Sequence, residues 1–180
     1  MNISEPIQGK LDLCKDIKEF FGEKEFTLVE IGSYAGGSAC IFAEQFRNAK
    51  IICIDPWLSG FDSADPCSYA NYSQVEEEFD EAVKSFKNIE KKKGYSTDFN
   101  IECDIIFIDG RHFYEGVKED ILHWSPNVKK PGIIAGHDYC KPGEMMYSYS
   151  HIRNVSKAVD ETLGVPDKRY VDGNWLKYIN

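Results

Sequence analysis

Val29-Glu30-Ile31-Gly32-Ser33-Tyr34-Ala35-Gly36-Gly37-Ser38 is the stretch on which the fold turns. An apolar run from Phe26 to Ile31 reads as a strand that carries an acid near its end. The chain then breaks into small residues and opens a short helix from about Gly37 to Phe46. Glycines let the backbone approach a ligand closely, and a helix start presents N–H groups with no intrahelical partner. The combination predicts a nucleotide-type pocket. Which nucleotide it takes depends on the residues at the ends of the later strands.

Working outward, strands and helices alternate. Leu13, Ile17, Phe20 and Phe21 share one helical face that Gly22 closes. Ile51-Ile52-Cys53-Ile54 is an unbroken apolar run typical of a strand buried on both faces, and it ends at Asp55. Pro56 to Tyr72 has no apolar period and reads as a loop. Ser73 and Glu76 form a capping-box pattern ahead of an inner face made by Val75, Phe79, Val83 and Phe86. Ile89 to Lys93 is either a helix tail or a short edge strand, and Gly94 favours the strand. Asp104 to Ile108 is the next buried strand, ending at Asp109-Gly110. Val117, Ile121 and Trp124 mark a helix stopped near Pro126. Ile133-Ile134 forms a short strand ending at Gly136-His137-Asp138.

After a second loop from Tyr139 to about Ser150, Ile152, Val155, Val159 and Leu163 read as a helix closed by Gly164. The tail, with Asp172-Gly173 between Arg169-Tyr170-Val171 and Asn174 to Ile179, reads as a β-hairpin. This alternation implies an α/β sheet with right-handed crossovers, whose ligands bind beyond the carboxyl ends of the strands. Those ends carry Glu30, Asp55, Asp109 and His137-Asp138, which together predict a site on one rim.

At 180 residues the chain is expected to be a single domain. A hydrophobic content of 42% with 28% charged residues fits a soluble protein. No apolar run reaches the length of a membrane span, and Met1 to Lys10 lacks a signal pattern. A net charge of -9 argues against nucleic acid as the partner. The Lys87, Lys91, Lys92 and Lys93 cluster reads as an ordinary charged face. Six cysteines (Cys14, Cys40, Cys53, Cys67, Cys103 and Cys140) include no C-x-x-C pair. Cys40, Cys53 and Cys103 lie in apolar stretches and read as reduced core residues, so a cytoplasmic location is expected.

The chain resembles class I S-adenosylmethionine (SAM) methyltransferases of the methyltransferase-24 type, related to metal-dependent sugar and catechol O-methyltransferases. The likeness runs from about Phe26 to Ile179. It rests on Glu30-Ile31-Gly32-Ser33-Tyr34, Ile54-Asp55-Pro56-Trp57, Phe107-Ile108-Asp109-Gly110-Arg111-His112, Lys130-Pro131-Gly132-Ile133-Ile134-Ala135-Gly136-His137-Asp138-Tyr139 and the closing hairpin. It implies a Rossmann-like, doubly wound, mostly parallel seven-stranded sheet with a C-terminal antiparallel hairpin.

It further implies that Gly32, Ser33, Tyr34, Gly37 and Ser38 wrap the methionine part of SAM, with Glu30 orienting the loop. Asp55, followed by Pro56 and Trp57, would receive the ribose hydroxyls, and Tyr95 and Ser96 would lie near the adenine. Asp109, His137 and Asp138 occupy the positions that hold Mg²⁺ or another divalent cation in metal-dependent relatives. His112 matches their general base. The reaction implied is methylation of a hydroxyl on a sugar or other small molecule.

Three features depart from the family. Tyr34 replaces the middle glycine of the loop, and His137 replaces the first acid of the usual pair. Little sequence precedes the first helix, so the substrate lid of some relatives is expected to be short or absent. Imidazole is a poorer ligand for Mg²⁺ than carboxylate, which leaves the metal open. Other readings remain. Glu30 and Asp55 could be plain strand-end residues, Asp109 could cap the Gly110 turn, and His137-Asp138 could brace a loop. His123 and His151 read as structural. Aromatics of the two loops, Trp57, Phe61, Tyr69, Tyr72, Tyr139, Tyr147 and Tyr149, could stack on an acceptor or pack on one another, and Met145-Met146 reads as flexible packing. A catalytically silent SAM-binding protein is a rival. So is an NAD-dependent oxidoreductase, although Tyr34 stands where the second glycine of that fingerprint belongs. An exposed helix face or the terminal hairpin offers a route to a homodimer.

Overall fold

Side chains alternate along the strands, and each alternate feeds a different layer. On β1 (Phe26–Ile31), Phe26 and Leu28 face one side, Val29 and Ile31 the other. The same division sorts Ile51 and Cys53 from Ile52 and Ile54 on β2 (Ala49–Asp55). It also sorts Ile105 and Phe107 from Ile106 and Ile108 on β4 (Cys103–Ile108). The first side packs against α1 (Ile7–Phe21), α2 (Gly37–Gln45) and α3 (Tyr72–Val83). The second packs against α4 (Tyr114–Trp124) and α5 (Val155–Leu163). This computed structural model describes residues 7–60, 65–144, 152 and 154–180. Phe61, Met145, Met146, Tyr147, Tyr149 and His151 therefore lie outside the described residues.

With β3 (Ile89–Lys93), β5 (Val128–Gly136), β6 (Lys168–Arg169) and β7 (Trp175–Ile179), the sheet has seven strands in the order β3-β2-β1-β4-β5-β7-β6. β1 to β5 run parallel, and β7 and β6 are antiparallel additions. The chain winds outward from β1 to β3, then crosses back to lay β4 on the other side of β1. That reversal opens a crevice at the carboxyl ends of β1 and β4, where sheets of this kind bind ligands. The Rossmann-like sheet expected from the sequence is thus the fold observed. No described helix is long and apolar enough to cross a membrane. Cys14, Cys40, Cys53, Cys67 and Cys103 are free thiols.

Several local expectations change. The Ser73–Glu76 capping box does not form: α3 begins at Tyr72, and its N-cap Asn71 makes no side-chain bond. Glu76 instead pairs with Lys91 at 2.9 Å and with Lys93, because ion pairs to the neighbouring strand compete with the cap. Those pairs, with Lys92–Glu90 at 2.7 Å, neutralise most of the lysine cluster and settle Ile89 to Lys93 as an edge strand. β5 starts at Val128, well before Ile133, since its exposed Lys129-Lys130-Pro131 half carries no apolar signal. Ile152 precedes α5, which begins at Val155. The terminal hairpin turns more widely than a two-residue Asp-Gly connection. Tyr170 N–H donates to Asn174 O at 2.9 Å and Gly173 N–H to Tyr170 O at 3.1 Å.

Gly32 is packed hard against the neighbouring backbone. At φ 84° it lies between β2 and β4, and a Cβ there would sit 2.2 Å from the Asp109 carbonyl oxygen. Gly22 also has positive φ, at 60°, but a Cβ there would meet nothing within 4 Å. Gly22→Ala is therefore expected to cost about 1–2 kcal/mol, the left-handed penalty alone. Gly32→Ala should exceed roughly 3 kcal/mol, because strain adds to the clash. Chemical denaturation of both variants checks this, and equal losses would contradict it.

Candidate active site

Three acids reach the rim from adjacent strands, all on the α1–α3 side. Glu30 lies level with Cys53 and Phe107, and Asp55 and Asp109 stand two residues further along, flanking Gly32. Glu30 is fully buried. It accepts hydrogen bonds from Ser33 Oγ at 2.7 Å and from Ser38 Oγ, one at each end of the glycine loop. Burial pushes its carboxyl pKa up, while the two hydroxyls favour the charged form. Glu30 thus fixes the loop from beneath. Above it, Gly36 in the left-handed region starts α2 with no side-chain cap, and the space beside Gly37 is open. A ligand can therefore approach the first-turn N–H groups of α2.

Asp55 joins this loop to the next one. Its oxygens accept from Tyr34 N–H at 3.0 Å and Trp57 N–H at 2.7 Å. The Trp57 indole N–H donates to the Tyr34 carbonyl at 2.9 Å. Tyr34 and Trp57 both have φ 45°, a left-handed conformation these bonds hold in place. Trp57 is buried, 4.9 Å from the Phe79 ring and with Lys91 Nζ 4.7 Å above it. Its ring is thus in the core beneath the rim, and only its turn borders the site. Pro56 is half-buried between them, and Tyr34 is exposed against Tyr72.

The Gly94 N–H donates to Asp55 O at 3.1 Å, which brings Tyr95 and Ser96 to the same rim. Tyr95 is exposed. Ser96 is buried and its hydroxyl donates to Asp120 of α4, which also pairs with Arg111 at 2.8 Å. His123 Nε2 donates to the Phe99 carbonyl oxygen at 2.7 Å, a structural contact.

Across the crevice, Asp109, His137 and Asp138 each present a ligand atom, all within 4.8 Å of one another. His137 Nδ1 lies 3.0 Å from Asp138 and 3.7 Å from Asp109. His112 joins them: its Nε2 is 3.2 Å from Asp138 and 3.8 Å from Asp109, and its Nδ1 is 2.7 Å from Asp65. Burial opposes charge on Asp109, His112 and His137, and mutual attraction overcomes it. Asp109 is drawn down to about 2, mainly by His137. The two acids raise His137 to about 9, and Asp109, Asp65 and Asp138 hold His112 well above its ordinary value. The charged form of both imidazoles is therefore favoured in this arrangement. Two carboxylates and an imidazole suit a first-row divalent ion better than Mg²⁺, and His137 must lose its proton before it can ligate.

Two site residues gave no motif in the sequence. Asp65 sits in the loop ahead of α3, where nothing in its spacing pointed to His112. Lys10 left a readable signal: it lies on the inward stripe of α1 with Leu13, Cys14 and Ile17. Its Nζ reaches to 3.9 Å from Asp109 Oδ2.

The charged cluster makes stability depend on pH. His137 has a folded pKa above its ordinary 6.5, so its contribution is complete below pH 6.5 and disappears as pH rises through about 9. The melting temperature of metal-free protein should fall across that window, and His137→Gln should flatten the fall. An unchanged slope in the variant would contradict the arrangement.

A family model described as a methyltransferase domain matches residues 29–139. An uncharacterized protein of Acanthamoeba polyphaga mimivirus is 26% identical over 136 residues, covering 71% of this chain. The chain spans 58% of that relative's length. Among solved structures, an S-adenosylhomocysteine-bound methyltransferase of Podospora anserina superposes with a TM-score of 0.65 at 15% identity, over 99% of this chain and 80% of its own. A calicheamicin methyltransferase, described as a TDP-rhamnose 3'-O-methyltransferase, gives a TM-score of 0.64 at 14% identity, over 95% and 79%. These two likenesses show the fold. The match across residues 29–139 shows the family: the chain belongs to the methyltransferase-domain family, the methyltransferase-24 type of class I SAM-dependent methyltransferases.

Proposed function

We propose that this chain binds SAM across the Gly32–Gly37 loop and transfers its methyl group to a hydroxyl of a sugar or similar small molecule. The observation that carries the reading is the loop itself. It is fixed from below by Glu30, joined to β2 by Asp55, and left open along the uncapped start of α2. A sulfonium cofactor also suits a rim of acids. The calicheamicin methyltransferase of the same fold takes a sugar acceptor by its description, which supports a hydroxyl as the methylated group.

Methyl transfer to oxygen is an in-line displacement, so alignment is the chain's first task. Asp55 would receive the ribose hydroxyls on lone pairs left over from its two backbone bonds. Tyr95 and Ser96 would border the adenine. The acceptor hydroxyl would enter from the side of Asp109, His112 and Asp138. His112 Nε2 points toward both of those acids, while Nδ1 is anchored on Asp65. It is the group placed to take the hydroxyl proton at Nε2 once its own proton there has left. Because its pKa is held high, the neutral form grows as pH rises, and turnover should rise with it. Asp109, His137 and Asp138 would hold a divalent ion, which would supply Lewis-acid lowering of the hydroxyl pKa.

Two measurements test this reading. With a hydroxylated sugar acceptor, His112→Ala should lower kcat by about 10²–10⁴-fold and leave SAM affinity nearly unchanged. Full turnover in the variant would remove His112 as base, and SAM binding without turnover on any hydroxyl acceptor would favour a silent binding protein. Chelation with EDTA should slow methylation, and undiminished turnover would remove the metal role of Asp109, His137 and Asp138.

A further inference from the structure

The Lys10 ammonium is an unusual charge. It is carried inward on α1 among Leu13, Cys14 and Ile17, and the residue is only 9% exposed. Its Nζ lies 4.7 Å from the centre of the Phe107 ring and 5.8 Å from that of Phe42. An ammonium has three donors and is costly to bury without acceptors. Among the described residues Lys10 makes no hydrogen bond, and its one ion-pair contact is the long 3.9 Å approach to Asp109 Oδ2. The two ring faces attract the charge but cannot satisfy the donors.

The place of this charge in the fold identifies what it lacks. Phe107 precedes Asp109 by two residues on the same face, and Asp109 presses directly on Gly32. Lys10 Nζ therefore lies beside the start of the glycine loop, on the side of the crevice facing β4. The neighbouring cations are already paired: Arg111 with Glu119 at 2.7 Å and Asp120 at 2.8 Å, Lys91 and Lys93 with Glu76. Everything else at the loop is acidic or neutral. The His137 and His112 imidazoles nearby already face Asp109 and Asp138. An anionic ligand group entering here would meet Glu30, Asp55 and Asp109, and among the described residues Lys10 is the cation beside the loop whose donors are unmatched.

We infer that Lys10 binds the carboxylate of the methionine end of SAM. This inference rests on the proposed SAM site and deepens it. The methionine end carries one anion and one cation in its amino-acid part. Lys10 and Asp109, set side by side, offer the complementary pair in one place. Lys10 thereby selects an amino-acid-bearing nucleoside over one that ends at the thioether or lacks the carboxylate. It also explains why a lysine is tolerated on the apolar stripe of α1: its donors complete their bonds when the cofactor is present.

The test compares two ligands that differ only in that carboxylate, S-adenosylhomocysteine and its decarboxylated form, by calorimetry on the full chain. Wild-type protein should prefer the carboxylate form by about 10–100-fold, in line with a charge-assisted hydrogen bond in a partly buried site. In Lys10→Met the preference should collapse to about threefold or less, with affinity for the decarboxylated ligand largely kept. Lys10→Arg, which retains the charge, should restore a good part of it. A ratio near one in wild-type protein overturns the inference whether or not the variants fold. So does a preference that survives intact in Lys10→Met. If wild-type protein binds neither nucleoside, the SAM site itself is wrong, a failure distinct from loss of the preference alone.

Discussion

The fully buried Glu30 carboxylate, bonded to Ser33 and Ser38, is the interaction on which the site depends. It occupies a position on β1 that belongs, by alternation, to the apolar α1–α3 layer. A charge or even a neutral carboxyl there is unfavourable unless its oxygens are satisfied. Two serines satisfy them, and they stand at either end of the turn from β1 into α2. The turn is therefore pinned to one shape, with Gly32 squeezed against Asp109 and the first N–H groups of α2 left free. Asp55 repeats the device one strand over, tying Tyr34 and Trp57 into strained left-handed turns. Burying acids under loops is how this fold makes a rigid cradle from small residues.

The opposite wall is built on a different balance. Asp65, Asp109 and Asp138 face His112, His137 and Lys10, so acids and cations nearly cancel without any added ion. Such a cluster is costly to desolvate and becomes stable only through mutual pairing. Its protons are consequently part of its chemistry. A group that must first lose a proton to act, as His112 and His137 must, couples reaction and metal binding to pH. Lys10 belongs to both walls, since it touches Asp109 from the side of the glycine loop.

Much of this was legible in the sequence because the signals are local. Strand periodicity, the Gly32–Gly37 turn and the acids at strand ends arise from residues close together in the chain, and their alternation implies an α/β sheet. What stayed hidden depends on distant partners. The capping box at Ser73 was a sound local pattern, but Glu76 found Lys91 and Lys93 on a neighbouring strand. Trp57 read as a site aromatic, yet its ring belongs to the α3 core because Asp55 and Tyr34 turn its backbone inward. Asp65 meets His112 across 47 positions of sequence, and no spacing rule reaches that far. Lys10 could have been found, as a cation at a helical position reserved for apolar side chains.

The central claim is that the loop fixed by Glu30 is the seat of the cofactor. A crystal structure of the protein grown with S-adenosylhomocysteine tests it most directly. The account predicts the methionine end lying along Gly32–Gly37 and the ribose at Asp55, with the Glu30 bonds to Ser33 and Ser38 unbroken. A nucleoside bound elsewhere, or a glycine loop that leaves Glu30 to receive it, would contradict the account.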